Sequence, residues 1–205
     1  MGMSHIPAPV QQQLQDLAFE VREVFGERGY RIEVALSVDP SFNESGNRSA
    51  LVRSMVKDAI RTGASRWGVD FEDAAGGALD IRFDLGSRIL VFRVKKAKRR
   101  ADGTLQIITN TASSWGLMDE DRLVPEEQWV FAFVANDSNI EGLSVAPVLG
   151  VTQKIPGYFI LGDETLLNGG VDAPRGFSSD NDDSLPGFEE DDEDEGELGN
   201  LGPSL

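Results

Sequence analysis

The chain has no cysteine and one histidine, His5, among its 205 residues. Without thiols there is no disulfide framework, no thiolate nucleophile and no cysteine-held zinc or iron–sulfur centre. A lone imidazole near the start leaves no base for a Ser-His-Asp triad and no ligand set for an H-E-x-x-H helix or a three-histidine cage. His5 is expected to be a disordered terminal residue, and Ser113-Ser114 has no base partner in the sequence. No run of about 18 apolar residues is present, so no transmembrane helix and no membrane partner are expected. The start, Met1 to Ile6, lacks the basic and apolar stretches of a signal peptide, and Ile6 stands where a myristoylation signal carries Ser or Thr. A cytoplasmic protein is the expectation. There is no G-x-x-x-x-G-K-[ST], and Gly76-Gly77 has neither the spacing nor the following helix of a dinucleotide fold. No cofactor is expected.

Acid is abundant, and it is unevenly placed. The net charge is −16, with 35 acids and 19 bases. Residues 176–205 hold 11 acids and no base, which leaves 24 acids against 19 bases in residues 1–175, a net of −5. The same segment is rich in Gly, Pro, Ser and Asn. It cannot bury enough surface to offset backbone ordering, about 1–2 kcal/mol per residue. The expected organisation is one domain over 1–172 and a disordered acidic tail over 173–205. Within the tail, Phe188 beside Glu189, Glu190, Asp191 and Asp192 forms a candidate partner-binding element, with the aromatic ring as its anchor.

Hydrophobic spacing gives the elements. Pro9 followed by Val10, Leu14, Leu17, Ala18, Val21, Val24 and Phe25 predicts an amphipathic helix of about 17 residues, with Gly26 or Gly29 as its stop. Ile32, Val34, Leu36 and Val38 alternate with polar or small residues and predict a strand from Tyr30 to Val38. Leu51, Val52, Met55, Val56, Ala59, Ile60 and Trp67 predict a second helix, capped by Asn47 or Ser49 and ended by Gly68. Arg53, Lys57 and Arg61 form a basic stripe on its exposed side. Glu72 to Gly77 reads as loop. Leu79 to Leu85 alternates as a strand, Gly86-Ser87 suits a tight turn, and Ile89 to Val94 reads as a strand buried on both faces. The run Lys95 to Arg100 holds Lys95, Lys96, Lys98, Arg99 and Arg100 near the tip of a second hairpin, which turns at Asp102-Gly103 and returns through Leu105 to Thr109. Asn110 to Glu127 is a long loop. Trp129 to Val134 reads as a central strand, Leu143 to Val151 as a strand broken by Pro147 at an edge or bulge, and Tyr158 to Leu161 as the last strand. The expected class is α+β, a mainly antiparallel sheet of six to seven strands with two helices on one face.

Asp80 and Asp84 are four apart on one strand, about 13 Å along it, and read as its solvated face. The same region resembles the hairpin of PD-(D/E)xK nucleases. That resemblance implies a metal site from Glu20 or Glu23, then Asp80 or Asp84, with Lys95 as the catalytic lysine. Arg93 stands at the position of the second acid, and a guanidinium cannot hold a divalent cation. The basic residues Arg53, Lys57, Arg61, Lys95, Lys96, Lys98, Arg99 and Arg100 form a candidate contact for nucleic acid or for an acidic partner. A folded part of net −5 and a lack of exposed interleaved aromatics count against nucleic acid. A contact between the acidic tail and Lys95–Arg100 would reconcile the two charge features.

The order of elements from Gly77 to Val151, with Phe92-Arg93-Val94-Lys95-Lys96, Asp102-Gly103, Ile107-Ile108-Thr109 and Asn136-Asp137-Ser138-Asn139, resembles small proteins encoded beside zinc-metallopeptidase-type regulators in phage-like or toxin–antitoxin-like gene pairs. The resemblance implies a two-component system and no catalytic residue. The function expected is that of a non-enzymatic binding or regulatory protein acting through a protein partner. The alternatives are a metal-dependent nuclease-like or nucleic-acid-binding protein, centred on Asp80, Asp84 and Lys95, and a virion-associated phage protein.

Overall fold

The computed structural model describes residues 5–43, 46–74, 77–109, 124–136, 138–153 and 157–168. Contacts divide the chain into two units, Met1–Asp172 and Ala173–Leu205. The expectations for the acidic tail and for Ser113-Ser114, and residues 110–123 of the expected long loop, fall outside the described residues.

Helix α1 spans Ala8–Arg28, and Val10, Leu14, Leu17, Ala18, Val21, Val24 and Phe25 are all buried, as their spacing predicts. Helix α3 spans Asn47–Trp67 and buries Val52, Val56, Ala59 and Ile60. The two pack closely at Gly63, where a Cβ would lie 3.1 Å from Leu17 Cδ2. Gly68 ends α3 in the left-handed region, with φ 66°, the conformation glycine adopts without steric cost. The expected cap is absent: Gly46 holds the N-cap position with no side-chain bond. Asn47 instead donates from its amide to the Phe42 carbonyl. Trp67, expected on a buried face, is 45% exposed.

Between them lies a correction. Tyr30–Ser37 is a helix, α2, and not a strand. Ile32 and Leu36, four residues apart, are buried, whereas Tyr30, Val34 and Val38, also four apart, are exposed. The even-numbered apolar residues imitate period two while lying on two opposite faces of a helix. Gly29 joins α1 to α2, and a Cβ there would meet the Phe25 carbonyl oxygen at 2.5 Å and the Ser138 carbonyl oxygen at 2.6 Å. Glycine is needed here for close approach, since its φ of −55° is ordinary. A short 3₁₀ turn, Pro40–Asn43, leads to α3. Three helices are therefore present among the described residues where two were expected.

The strands are β1 (Asp70–Ala74), β2 (Ala78–Asp84), β3 (Ile89–Arg99), β4 (Leu105–Gln106), β5 (Ile108–Thr109), β6 (Glu126–Asn136), β7 (Asn139–Val151), β8 (Gly157–Leu161) and β9 (Thr165–Leu166). β1 occupies residues expected to be loop; it is an exposed, charged edge strand paired to β2. The main order is β1-β2-β3-β6-β7-β8-β5, with β4 on β3 and β9 on β7. The β3–β6 pairing is parallel and every other pairing is antiparallel, so the sheet is mixed. The expected strand Leu105–Thr109 is split. Its first half pairs with β3 and its second half with β8, and Ile107 between them is fully buried. That segment closes β3, β6, β7 and β8 into a ring. Pro147 sits inside β7, between the residues that pair with β9 and those that pair with β8, beside a register shift. This is the bulge option for a residue without an N–H, on an interior strand.

The sheet is apolar on both sides. Leu79, Ile81, Phe83, Leu90, Phe92, Val94, Trp129, Phe131 and Phe133 share one cluster with the helices. Val91, Ala97, Ile107, Val130, Ala132, Ala146 and Phe159 form a second cluster inside the ring. Among the described residues no helix is long and apolar enough to cross a membrane.

The helical assignment of α2 makes a sharp prediction. Leu36→Ala should cost about 2–4 kcal/mol, as for a buried leucine, and Val34→Ala within about 0.5 kcal/mol, as for a surface site. Equal losses in thermal melts would restore the strand.

Candidate anion-binding cluster

Strand alternation sorts the candidate residues. On β2, Leu79, Ile81 and Phe83 face the helices, so Asp80 and Asp84 lie on the other side of the sheet. Arg93 is the register partner of Asp80, and Lys95, two residues on, shares that side. Glu20 sits on α1, across the sheet from them. It is buried and accepts from Arg66 Nη1 at 2.7 Å; Glu23 is exposed. The helix-borne acid and Asp80 are thus separated by a layer of strands, and the metal constellation implied by the nuclease resemblance does not assemble. Among the described residues no three His, Asp or Glu side chains come together in a metal-holding group.

Asp80 is not solvated, contrary to the expectation drawn from alternation. It is 2% exposed and accepts two bonds from Arg93, Nε to Oδ1 at 2.8 Å and Nη2 to Oδ2 at 2.7 Å. The residue that departs from the nuclease pattern is the one that occupies the carboxylate. A bidentate pair of this kind satisfies both oxygens and compensates a charge that burial would otherwise make costly. Asp84 remains exposed and accepts from the Gly86 backbone N–H at 2.7 Å, fixing the turn. Beside this pair Arg82 bridges Glu72 at 3.0 Å and Glu126 at 2.6 Å.

The eight basic candidates separate into two groups. Arg61 pairs with Asp73 of β1, Lys57 donates to the Gly77 carbonyl at 2.8 Å, and Arg99 forms a two-bond pair with Glu164, at 3.1 and 2.7 Å. Glu164 is pushed up by burial, but the bonds from Arg99 and Ser144 outweigh this and hold it below the usual carboxylate range. Glu164, Asp73 and Glu126 are partners that only the tertiary fold reveals. Arg100 lies in the turn by Asp102.

Arg53, Lys95, Lys96 and Lys98 remain, with no acidic partner in hydrogen-bond range among the described residues. Arg53 lies in the first turns of α3, and Lys95, Lys96 and Lys98 run along the C-terminal half of β3 to the hairpin that pairs Lys98 with Gln106, so Lys98 is near the tip as expected and Lys95 and Lys96 lie further back in the strand. Lys96 and Lys98 share the helix side of β3, and Lys96 Nζ reaches Ser49 Oγ at 3.4 Å. Burial lowers the Lys95 ammonium first, then the charges of Arg93 and Arg53, with Asp80 opposing. Lys96 is lowered by burial, then by Arg53 and Lys98. Arg53 thus acts on lysines from both sides of the strand. His5, expected to be disordered, is held through its carbonyl by Arg88 at 2.8 Å.

Two predictions follow from the electrostatics. Asp80→Ala should cost about 3 kcal/mol or more by removing one half of a buried bidentate pair, and Asp80→Leu with Arg93→Met should regain most of it. Chemical denaturation of the three variants checks this. Lys95→Met should raise the melting temperature by about 1–3 °C by relieving repulsion and desolvation. A lysine whose folded pKa is below its unfolded value carries its full penalty while it is protonated in both states and a falling one until the unfolded chain too is deprotonated. The advantage of Lys95→Met should therefore shrink as pH rises from the lowered value toward the ordinary one near 10.4; an advantage that grows with pH would contradict the assignment. Comparison with protein-family models, with curated proteins and with solved structures gives no match to this chain.

Proposed function

We propose that this chain is a non-enzymatic binding or regulatory protein that acts through a protein partner, as one component of a phage-related or toxin–antitoxin-like pair. The observation that carries the reading is the Asp80–Arg93 pair. A metal-dependent phosphodiesterase needs carboxylates free to hold a cation beside the scissile phosphate. Here the buried carboxylate of the nuclease-like hairpin is committed to a guanidinium, and the helix-borne acid is committed to Arg66 across the sheet. Lys95 remains close to Asp80, but a lysine without a metal-bound substrate has nothing to activate or stabilise at this site. Cations that are left unneutralised and partly buried support contact with something that brings negative charge.

Two measurements on the full chain decide between the readings. Incubation with single- and double-stranded DNA and RNA, in magnesium or manganese, should leave the nucleic acid intact; hydrolysis that Asp80→Asn abolishes would overturn the proposal. Co-expression with the product of the adjacent gene should yield a complex of fixed stoichiometry that survives gel filtration. Separate elution of the two proteins would remove the paired-component reading.

A further inference from the structure

We propose that Arg53, Lys96 and Lys98 form a recognition site for a short, extended acidic segment of the partner protein. This rests on the reading above that the chain acts through a protein partner.

The first argument is selective neutralisation. Arg48, Arg61, Arg66, Arg82, Arg88, Arg93 and Arg99 each have a carboxylate within ion-pair distance. In a chain whose first 175 residues hold 24 acids against 19 bases, cations are scarce and acids are plentiful. Among the described residues Arg53, Lys96 and Lys98 have no such carboxylate, and Lys96 Nζ reaches Ser49 Oγ at 3.4 Å, one turn of α3 before Arg53. The second argument is location. Lys96 is half-buried within a strand of the central sheet, where the like charges of Arg53 and Lys98 act on it through a medium that screens them less than water does. Solvated surface lysines avoid this arrangement; a site awaiting a carboxylate accepts it.

The third argument is spacing. Lys96 and Lys98 are two residues apart on one side of β3, about 6.8 Å. Alternate side chains of an extended peptide have the same repeat, so two carboxylates of such a segment match two ammonium groups in register. Arg53, which acts on both Lys95 and Lys96, supplies a guanidinium able to take a further carboxylate through two bonds. Three cations suit a short segment better than a nucleic acid. Duplex binders neutralise about 6–10 phosphates, and a duplex extending more than a Debye length, about 8–10 Å, beyond the cluster would meet the net acidic surface of the rest of the chain.

The test is fluorescence anisotropy with a labelled peptide of alternating Glu and Asp, a Gln/Asn peptide of equal length, and a DNA duplex, at low salt. It uses the full chain, and also a full-length variant in which Glu189–Glu195 are changed to their amides, so that the probe is the only dense carboxylate run present. The acidic peptide should bind the amide variant, the Gln/Asn peptide should not, and added salt should weaken the complex. Introducing Arg53→Gln, Lys96→Gln and Lys98→Gln together should weaken binding about tenfold or more. Arg28→Gln with Arg31→Gln, at the groove between α2 and α3, should leave binding unchanged. Lys95→Met, which removes a charge on the other side of β3, should also leave binding unchanged. An acidic peptide that binds neither chain, or binds the triple variant equally well, removes this site; if the co-expressed complex still forms, the partner reading survives, and if that fails too, both fall. Tighter binding of the duplex than of the peptide, lost in the triple variant, overturns the acidic-peptide assignment.

Discussion

Strand β3 must satisfy two apolar layers along one half of its length and carry cations along the other. Leu90, Phe92 and Val94 enter the cluster shared with the helices, and Val91 and Ala97 enter the cluster inside the ring. A strand covered on both sides can sit only in the interior of a sheet, and β3 does so, between β2 and β6. Its parallel pairing with β6 runs for nine residues, from Ile89 opposite Glu126 to Ala97 opposite Val134. The chain must therefore travel from the end of β3 back to the start of β6. The described part of that connection includes the short segment that bonds β3 at Lys98–Arg99 and β8 at Tyr158–Gly157. Ring closure, the second core and the placement of Lys95 to Lys98 all derive from that one pairing.

Much of this is legible in the residues. The 3.6-residue spacing of α1 names every buried aliphatic on it, and positive-φ glycines sit at Gly68, Gly86 and Gly103, where a helix end and two turns require them. The failures have physical causes. Tyr30–Val38 places apolar residues at every second position because α2 has one apolar pair facing the core and one apolar row facing out; periodicity counts residues and cannot tell which row is covered. The parallel pairing was hidden because a hairpin signal at Asp102-Gly103 is correct locally and says nothing about the second neighbour of β3. β1 was missed because an exposed edge strand gains little from burial and so carries no apolar pattern.

The candidate site shows the same division. That Arg93 replaces a metal-holding acid is visible in the sequence. That Asp80 is buried is not, since a polar residue alternating with Leu79 and Ile81 looks like the wet side of a strand. The pairing is what permits the burial: an isolated carboxylate in that position would be driven out or neutralised, and Arg93 is placed opposite by the register of β2 and β3. Long-range partners such as Asp73 for Arg61 and Glu164 for Arg99 likewise depend on strands far apart in sequence, so a stripe of cations cannot be divided into neutralised and unneutralised members before the fold is known.

That division bears on how stability and recognition trade against each other. The buried Asp80–Arg93 pair and the partly buried Lys95 are neighbours on one side of one strand, yet their energetics are opposite in sign. The pair is harmless because each charge has its complement in fixed geometry. The lysine is a liability because burial disfavours its charge and Arg93 and Arg53 repel it, while Asp80, whose attraction opposes them, is already bonded to Arg93. If Asp80 turned from Arg93 to Lys95, the bidentate pair would be lost, so one carboxylate cannot serve both cations in this geometry. Burial and like charge on Lys95 therefore go uncompensated among the described residues, while the charges of the neighbouring pair are matched, and the difference is that the register of β2 and β3 sets Asp80 opposite Arg93.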